Sequence, residues 1–310
     1  MLLNLLILLT AIFVIIKASD FAIIYSSKLA EGFRLSKYTI GFLIVAVISI
    51  LPEMMIAINS ALDNVPAFGL GALYGSNVAD LSLVFALVIF FSQRNLKVES
   101  KIIKTRFLHI GIMAIPLILG LNGYYSRVEG IFLIMVGLCF YLYVLKNNSY
   151  KAEVKREPFA YKNLFWLLIS MGLLLLGANF AVEYGVKLAS NLQISPVFVG
   201  MFIVGLGTVL PELMFSLRAA RNHHDQLALG DILGTVIADA TIVVGLIAVI
   251  NPFSFSRRLV YVTGFFMFLA IILLFSFMKS DRKLTKKEAF LLLLFYISFI
   301  IAELLSSGLE

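Results

Sequence analysis

The sequence predicts an all-α integral membrane protein of ten transmembrane helices, built as two inverted five-helix repeats, and three observations predict it. Charged residues make up 14% of the 310 positions and hydrophobic ones 61%, with a mean hydropathy of +1.00. A soluble domain carries roughly 25% charged residues to cover its surface. Apolar runs alternate with short polar breaks along the whole chain. Finally, the first half of the chain matches the second at a fixed offset of 159 residues.

Composition also excludes. Disordered, collagenous, coiled-coil and disulfide-stapled chains have a different make-up. The net charge of +7 does not point to nucleic acid, because no polar face exists on which Lys and Arg could cluster. Cys139 is the single cysteine and lies in the apolar run GLCFYLY, so no internal disulfide forms.

A hydrocarbon core of about 30 Å needs about 20 apolar residues per helix. The runs between polar breaks are ten: residues 2–27, 38–60, 67–92, 106–122, 128–146, 162–189, 196–217, 226–250, 258–278 and 286–306. The first reads as a true span, not a cleaved signal peptide: no basic residue precedes it, and it continues past Lys17. Loops after runs 1, 3, 5, 7 and 9, with their edges, hold 21 of the 25 basic residues. The opposite side holds Arg127, Lys187, Arg257 and Arg258. Positive charge stays inside. The expectation is a multi-pass protein of the cell membrane with both termini extracellular.

The repeat is ungapped. Residues 35–53 (LSKYTIGFLIVAVISILPE) align with 194–212 (ISPVFVGMFIVGLGTVLPE), and the register carries Gly71, Gly75, Ala79 and Asp80 onto Gly230, Gly234, Ala238 and Asp239. Five helices per copy is an odd number, so the second copy enters the membrane from the opposite side. Many secondary transporters are built this way, with the site near the midplane between repeats. The expected division is 1–147 for the first repeat, 148–161 for a cytoplasmic hinge loop and 162–310 for the second, inverted repeat.

Glu53 and Glu212 each follow a proline deep within a span. Ionisable groups at that depth are expensive, and function is their default explanation. Proline lacks an N–H and displaces the carbonyl four residues back, so Pro52 and Pro211 should free main-chain oxygens around Ser49 and Thr208. Freed carbonyls must be buried or line a cavity. Carboxylates together with carbonyl oxygens form a hard-oxygen shell, suited to Ca²⁺ or Na⁺. Asp80 and Asp239 make the second pair; Ser76 and Thr235 precede them by four residues, on the same helical face. Gly71/Gly75 and Gly230/Gly234 have the small-xxx-small spacing that admits a neighbouring helix.

Together these motifs resemble the cation/calcium exchanger superfamily, and its prokaryotic sodium/calcium exchangers in particular. GTVLPE and SILPE are similar to its first signature, G-T/S-S-x-P-E; GSNVAD and GTVIAD are similar to its second, G-S-N-x-x-N/D. The resemblance implies ten helices in two inverted halves and a cluster of Na⁺ and Ca²⁺ sites. Carried over by position, the metal-ion ligands would be Glu53, Glu212, Ser49, Thr208, Ser76, Thr235, Asp80 and Asp239.

Two departures bear on the coupling ion. The hydroxyl residue before Leu-Pro-Glu is replaced by Ile50 and Val209, and both second-motif positions are Asp where the exchangers usually keep an Asn in at least one half. Four ionised carboxylates around one divalent ion leave a charge of minus two, which a buried site does not tolerate. Other cations must co-bind, or carboxylates must take up protons. The expectation is a secondary-active antiporter, not an enzyme, that exchanges a divalent cation, Ca²⁺ foremost, for Na⁺ or H⁺ by alternating access. A Mg²⁺ or Mn²⁺ exchanger of the same fold is the alternative. Inorganic cations and membrane lipid are the expected partners, with no cofactor, nucleic acid or obligate protein partner.

Other polar residues carry less. Asp20 matches Asn179 and serves either packing or a pathway. Asp231 reads as an acidic residue suiting a helix N-terminus, with uncharged Ala72 as its counterpart. Glu183, Glu303 and the His223–His224 pair read as solvated or interfacial. The rival class is an intramembrane aspartyl protease, which the sequence disfavours: Leu229 and Ala228 precede its only Gly-Asp, Gly230–Asp231.

Overall fold

The computed structural model describes residues 2–33, 35–64, 66–147, 161–191 and 209–307. Helices dominate: α1 (Leu2–Gly32), α2 (Lys37–Ser49), α3 (Leu51–Leu62), α4 (Pro66–Ser92), α5 (Arg106–Leu119), α6 (Arg127–Asn147), α7 (Tyr161–Asn191), α8 (Leu210–Arg221), α9 (Asp225–Ile250), α10 (Arg257–Asp281) and α11 (Lys286–Ser307). Six of these are long and apolar enough to cross a membrane, and α2 with α3 make a seventh as one bent pair. Arg106–Asn122 and Tyr161–Gly177 are shorter apolar helices. All of the predicted hinge (148–161) but Tyr161, and most of the seventh predicted run, lie outside the described residues.

The 159-residue offset reappears in the backbone. Helix α3 begins at Leu51 and α8 at Leu210; α4 begins at Pro66 and α9 at Asp225. Even the caps repeat. Ser126 N–H and Oγ donate to Glu129 Oε2 at 2.8 and 2.7 Å; Thr285 N–H and Oγ1 donate to Glu288 Oε2 at 2.7 and 3.0 Å. Each is a capping box that satisfies orphan donors at the start of α6 or α11.

Contacts between the halves sort the loops onto two ends. At one end Arg94 forks onto Asp225, Lys97 N–H donates to Asp225 Oδ2 at 2.9 Å, and Lys37 Nζ donates to His224 Nδ1 at 2.8 Å. There β1 (Leu96–Lys97) pairs antiparallel with β4 (Lys283–Leu284). At the other end Asn251 Nδ2 donates to Ala61 O at 3.1 Å and Asn64 Oδ1 at 3.2 Å, and β2 (Tyr124–Tyr125) pairs with β3 (Phe253–Ser254). The end of α4 therefore meets the start of α9, and the start of α4 meets its end. These repeat-equivalent helices run antiparallel. The two-residue ribbons are too short to have shown in the sequence.

Glycines set how closely the halves approach. A Cβ on Gly41 would lie 2.5 Å from Leu227 O, and one on Gly234 would lie 2.6 Å from the Ala46 Cβ. Backbone contact between α2 and α9 thus depends on the absence of side chains at both positions. The segment equivalent to α2 in the repeat, residues 196–208, lies outside the described residues.

Candidate functional site

Pro52 and Pro211 each stand second in their helix. Helix α2 ends at Ser49 and α3 starts at Leu51, with an angle of 44° between Lys37–Ser49 and Glu53–Leu62. Val209 caps α8 in the same way. Glu53 and Glu212 consequently sit in the first turn of a new helix, where the positive end of the dipole favours an anion. Asp80 and Asp239 are each the first residue of a five-residue π-helical turn, Asp80–Val84 and Asp239–Val243. Such turns recur at functional sites, and hydropathy periodicity does not reveal them.

All four acids are buried: Glu53 is 5% exposed, Asp80 1%, and Glu212 and Asp239 are fully enclosed. Among the described residues, Glu53 Oε2, Asp80 Oδ1, both carboxyl oxygens of Glu212 and both of Asp239 have no hydrogen-bond partner, nor does Asn77 Oδ1. Native interiors pair nearly every such atom, so each orphan calls for an explanation. The acids also act on one another. Asp80 and Asp239 lie within electrostatic reach of Glu53, and Glu212 lies within reach of Glu53, Asp80 and Asp231.

The predicted hydroxyls are placed unequally. Ser49 Oγ lies 3.3 Å from Thr235 Oγ1, which joins the end of α2 to α9 across the repeat interface. Ser76 is 8% exposed, and its hydroxyl donates to Leu73 O in its own helix at 3.1 Å. Thr208 lies outside the described residues. Ile50 and Val209, each 1% exposed, put buried apolar side chains at the N-caps of α3 and α8. Among the described residues, no three His, Cys, Asp or Glu side chains form a metal-holding group. A cation here would therefore need hydroxyl, amide or main-chain oxygens beside the carboxylates, as hard cations accept.

Asp231 is the residue that sequence reasoning misplaced. Asp225, not Asp231, occupies the first turn of α9. Asp231 is fully buried; its Oδ1 accepts from Ser49 Oγ at 3.0 Å and its Oδ2 from Ser216 Oγ at 3.2 Å. The overlooked signal was its place in Gly230–Asp231–x–x–Gly234, the stretch that α2 crosses at backbone distance.

Asp20, Glu303 and Glu183 are each paired. Asp20 Oδ1 lies 3.5 Å from Arg218 Nε, which sits in α8 and not in a loop. Glu303 faces Arg258 at 3.0 Å and accepts from Thr263 Oγ1 at 3.2 Å. Glu183 and Lys187 form an exposed pair one helical turn apart.

The chain is similar to known proteins along almost its whole length. The sodium/calcium exchanger protein family matches residues 3–146 and again 162–305. The chain is 23% identical to the sodium/calcium exchanger MaX1 of Methanosarcina acetivorans, covering 96% of this chain and 97% of that one. It is 26% identical to the putative antiporter CaxA of Alkalimonas amylolytica, covering 94% and 95%. A solved structure of the sodium-calcium exchanger NCX_Mj superposes with a TM-score of 0.85 at 25% identity, covering 97% of this chain and 98% of that chain. The twofold match across almost the whole length shows that this chain belongs to the sodium/calcium exchanger family.

Proposed function

We propose that the protein is a secondary-active antiporter that exchanges Ca²⁺ for Na⁺ or H⁺ by alternating access. One observation carries the reading: among the described residues, six carboxyl oxygens on four buried acids in repeat-related pairs have no partner, and both glutamates lie in the first turn of a helix. Glu53, Glu212, Asp80 and Asp239 supply the charge, while Ser49, Thr208, Ser76 and Thr235 supply neutral oxygens. In this reading residues 1–147 and 162–310 are two inverted five-helix halves joined by a cytoplasmic hinge, 148–161, with both termini outside the cell. The antiparallel course of α4 and α9 supports the inversion.

The same features bear on coupling. Bare carboxylates this deep need positive charge in every state of the cycle, so the site is never without a cation or protons. That obligation makes exchange, rather than leak, the natural outcome. Ile50 and Val209 remove two oxygens that would serve Na⁺, and Asp80 adds a negative charge, which together shift coupling toward protons or fewer Na⁺ ions. Ca²⁺ flux into vesicles, driven in turn by a Na⁺ gradient at clamped pH and by a pH gradient without Na⁺, tests this. Full drive by Na⁺ with no response to pH removes the proton version.

A further inference from the structure

Repeat symmetry does not account for Asp231. Its equivalent is Ala72, and the equivalent of Ser216 is Ala57. The second half has therefore acquired both ends of a contact that the first half lacks. Asp231 joins three helices. It accepts a hydrogen bond from Ser49 at the end of α2, immediately before the break, and another from Ser216, one turn beyond Glu212 in α8, while its own backbone belongs to α9. Asp231, Ser49 and Ser216 are all fully buried.

A serine hydroxyl has one proton and two lone pairs. With its proton directed to Asp231, or shared with Ala46 O at 3.2 Å, the Ser49 oxygen offers only lone pairs to any further partner. A cation ligand has to do so. We infer that Asp231 is a positioning residue of the ion site: it presents Ser49 as an acceptor and ties the break in α2 to the helix that carries Glu212. The inference rests on the proposed ion site at Glu53 and Glu212. Asp231 acts through the serines and does not itself ligate the ion.

Ca²⁺ uptake into proteoliposomes tests this, with half-saturating Ca²⁺ and maximal rate read separately for Asp231→Ala, Asp231→Asn, Ser216→Ala and the Asp231→Ala/Ser216→Ala double variant. Alanine leaves nothing to bridge the serines, and the half-saturating concentration rises about tenfold, the size of one lost hydrogen bond to a charged group. Asparagine keeps an oxygen acceptor at nearly the same shape and loses less than about threefold. Ser216→Ala alone costs about threefold and adds nothing to Asp231→Ala. Equal impairment by Asn and Ala, or an unchanged half-saturation in Ser216→Ala, overturns the inference. So does a fall in maximal rate and thermal stability at constant half-saturation, which would mark a merely architectural role. Glu53→Gln and Glu212→Gln in the same vesicles separate the two readings: if these still transport, the ion site itself is misassigned, whatever Asp231 does.

Discussion

The two halves share their acids and differ in what supports them. Glu53 and Glu212 occupy the same first turn after the same proline, and Asp80 and Asp239 begin the same π-helical turn. Around them the symmetry fails. The second half has Asp231 and Ser216 where the first has Ala72 and Ala57, and Arg218 where the first has Asn59; the first has Asp20 where the second has Asn179. Among the described residues the four duplicated acids bear the unpartnered carboxyl oxygens, whereas Asp231 and the Asp20–Arg218 pair are bonded. In the proposed reading, the orphaned carboxyl oxygens mark where a cation is needed. Bonded ones mark how the two halves are held together.

That contrast ranks the effects of substitution. Glu53→Gln and Glu212→Gln should have the largest, each lowering vesicle Ca²⁺ flux by about 100-fold or more, equivalent to about 2.7 kcal/mol. Inserted protein should be unchanged on gels. Retained exchange in both variants contradicts the assignment of the shared acids. Asp80→Asn comes next. It removes one negative charge and should raise half-saturating Ca²⁺ by about tenfold while weakening the response to a pH gradient, on the scale of one buried charge contact. An unaltered pH response would mean that Asp80 plays no part in coupling.

Smaller changes probe the departures from the family pattern. Replacing Ile50 and Val209 together by Ser puts a hydroxyl at each N-cap, and Na⁺-driven flux should increase a few-fold, about the contribution of one hydroxyl contact. No increase would detach these positions from coupling. Asp20→Asn, which copies the residue of the other half, should alter flux least. Its ion pair with Arg218 is partly exposed, and such pairs contribute about 0–1 kcal/mol. A loss as large as that of Glu53→Gln would place Asp20 on the ion path instead.

Much of this was legible in the sequence because the signals are local. A proline next to an acid inside an apolar run dictates a broken helix wherever the run packs, and the repeat doubled the signal at Glu53 and Glu212. Three features were not legible. The π-helical turns at Asp80 and Asp239 leave hydropathy unchanged. The burial of Asp231 depends on α2 crossing α9 at Gly230 and Gly234, which sequence spacing permits but does not specify. Arg218 looks like a loop cation because it lies near a basic break, yet α8 runs on to Arg221 and turns it toward Asp20.

Counter-transport by the unmodified protein is the most direct test of antiport. Proteoliposomes loaded with Na⁺, or held at acidic internal pH, are placed in trace Ca²⁺, and Ca²⁺ accumulation is followed over time. Antiport predicts uptake beyond the external Ca²⁺ concentration, driven by at least one of the two gradients and collapsing when that gradient is dissipated. Ca²⁺ that only equilibrates, indifferent to both gradients, would contradict it and indicate a passive pore.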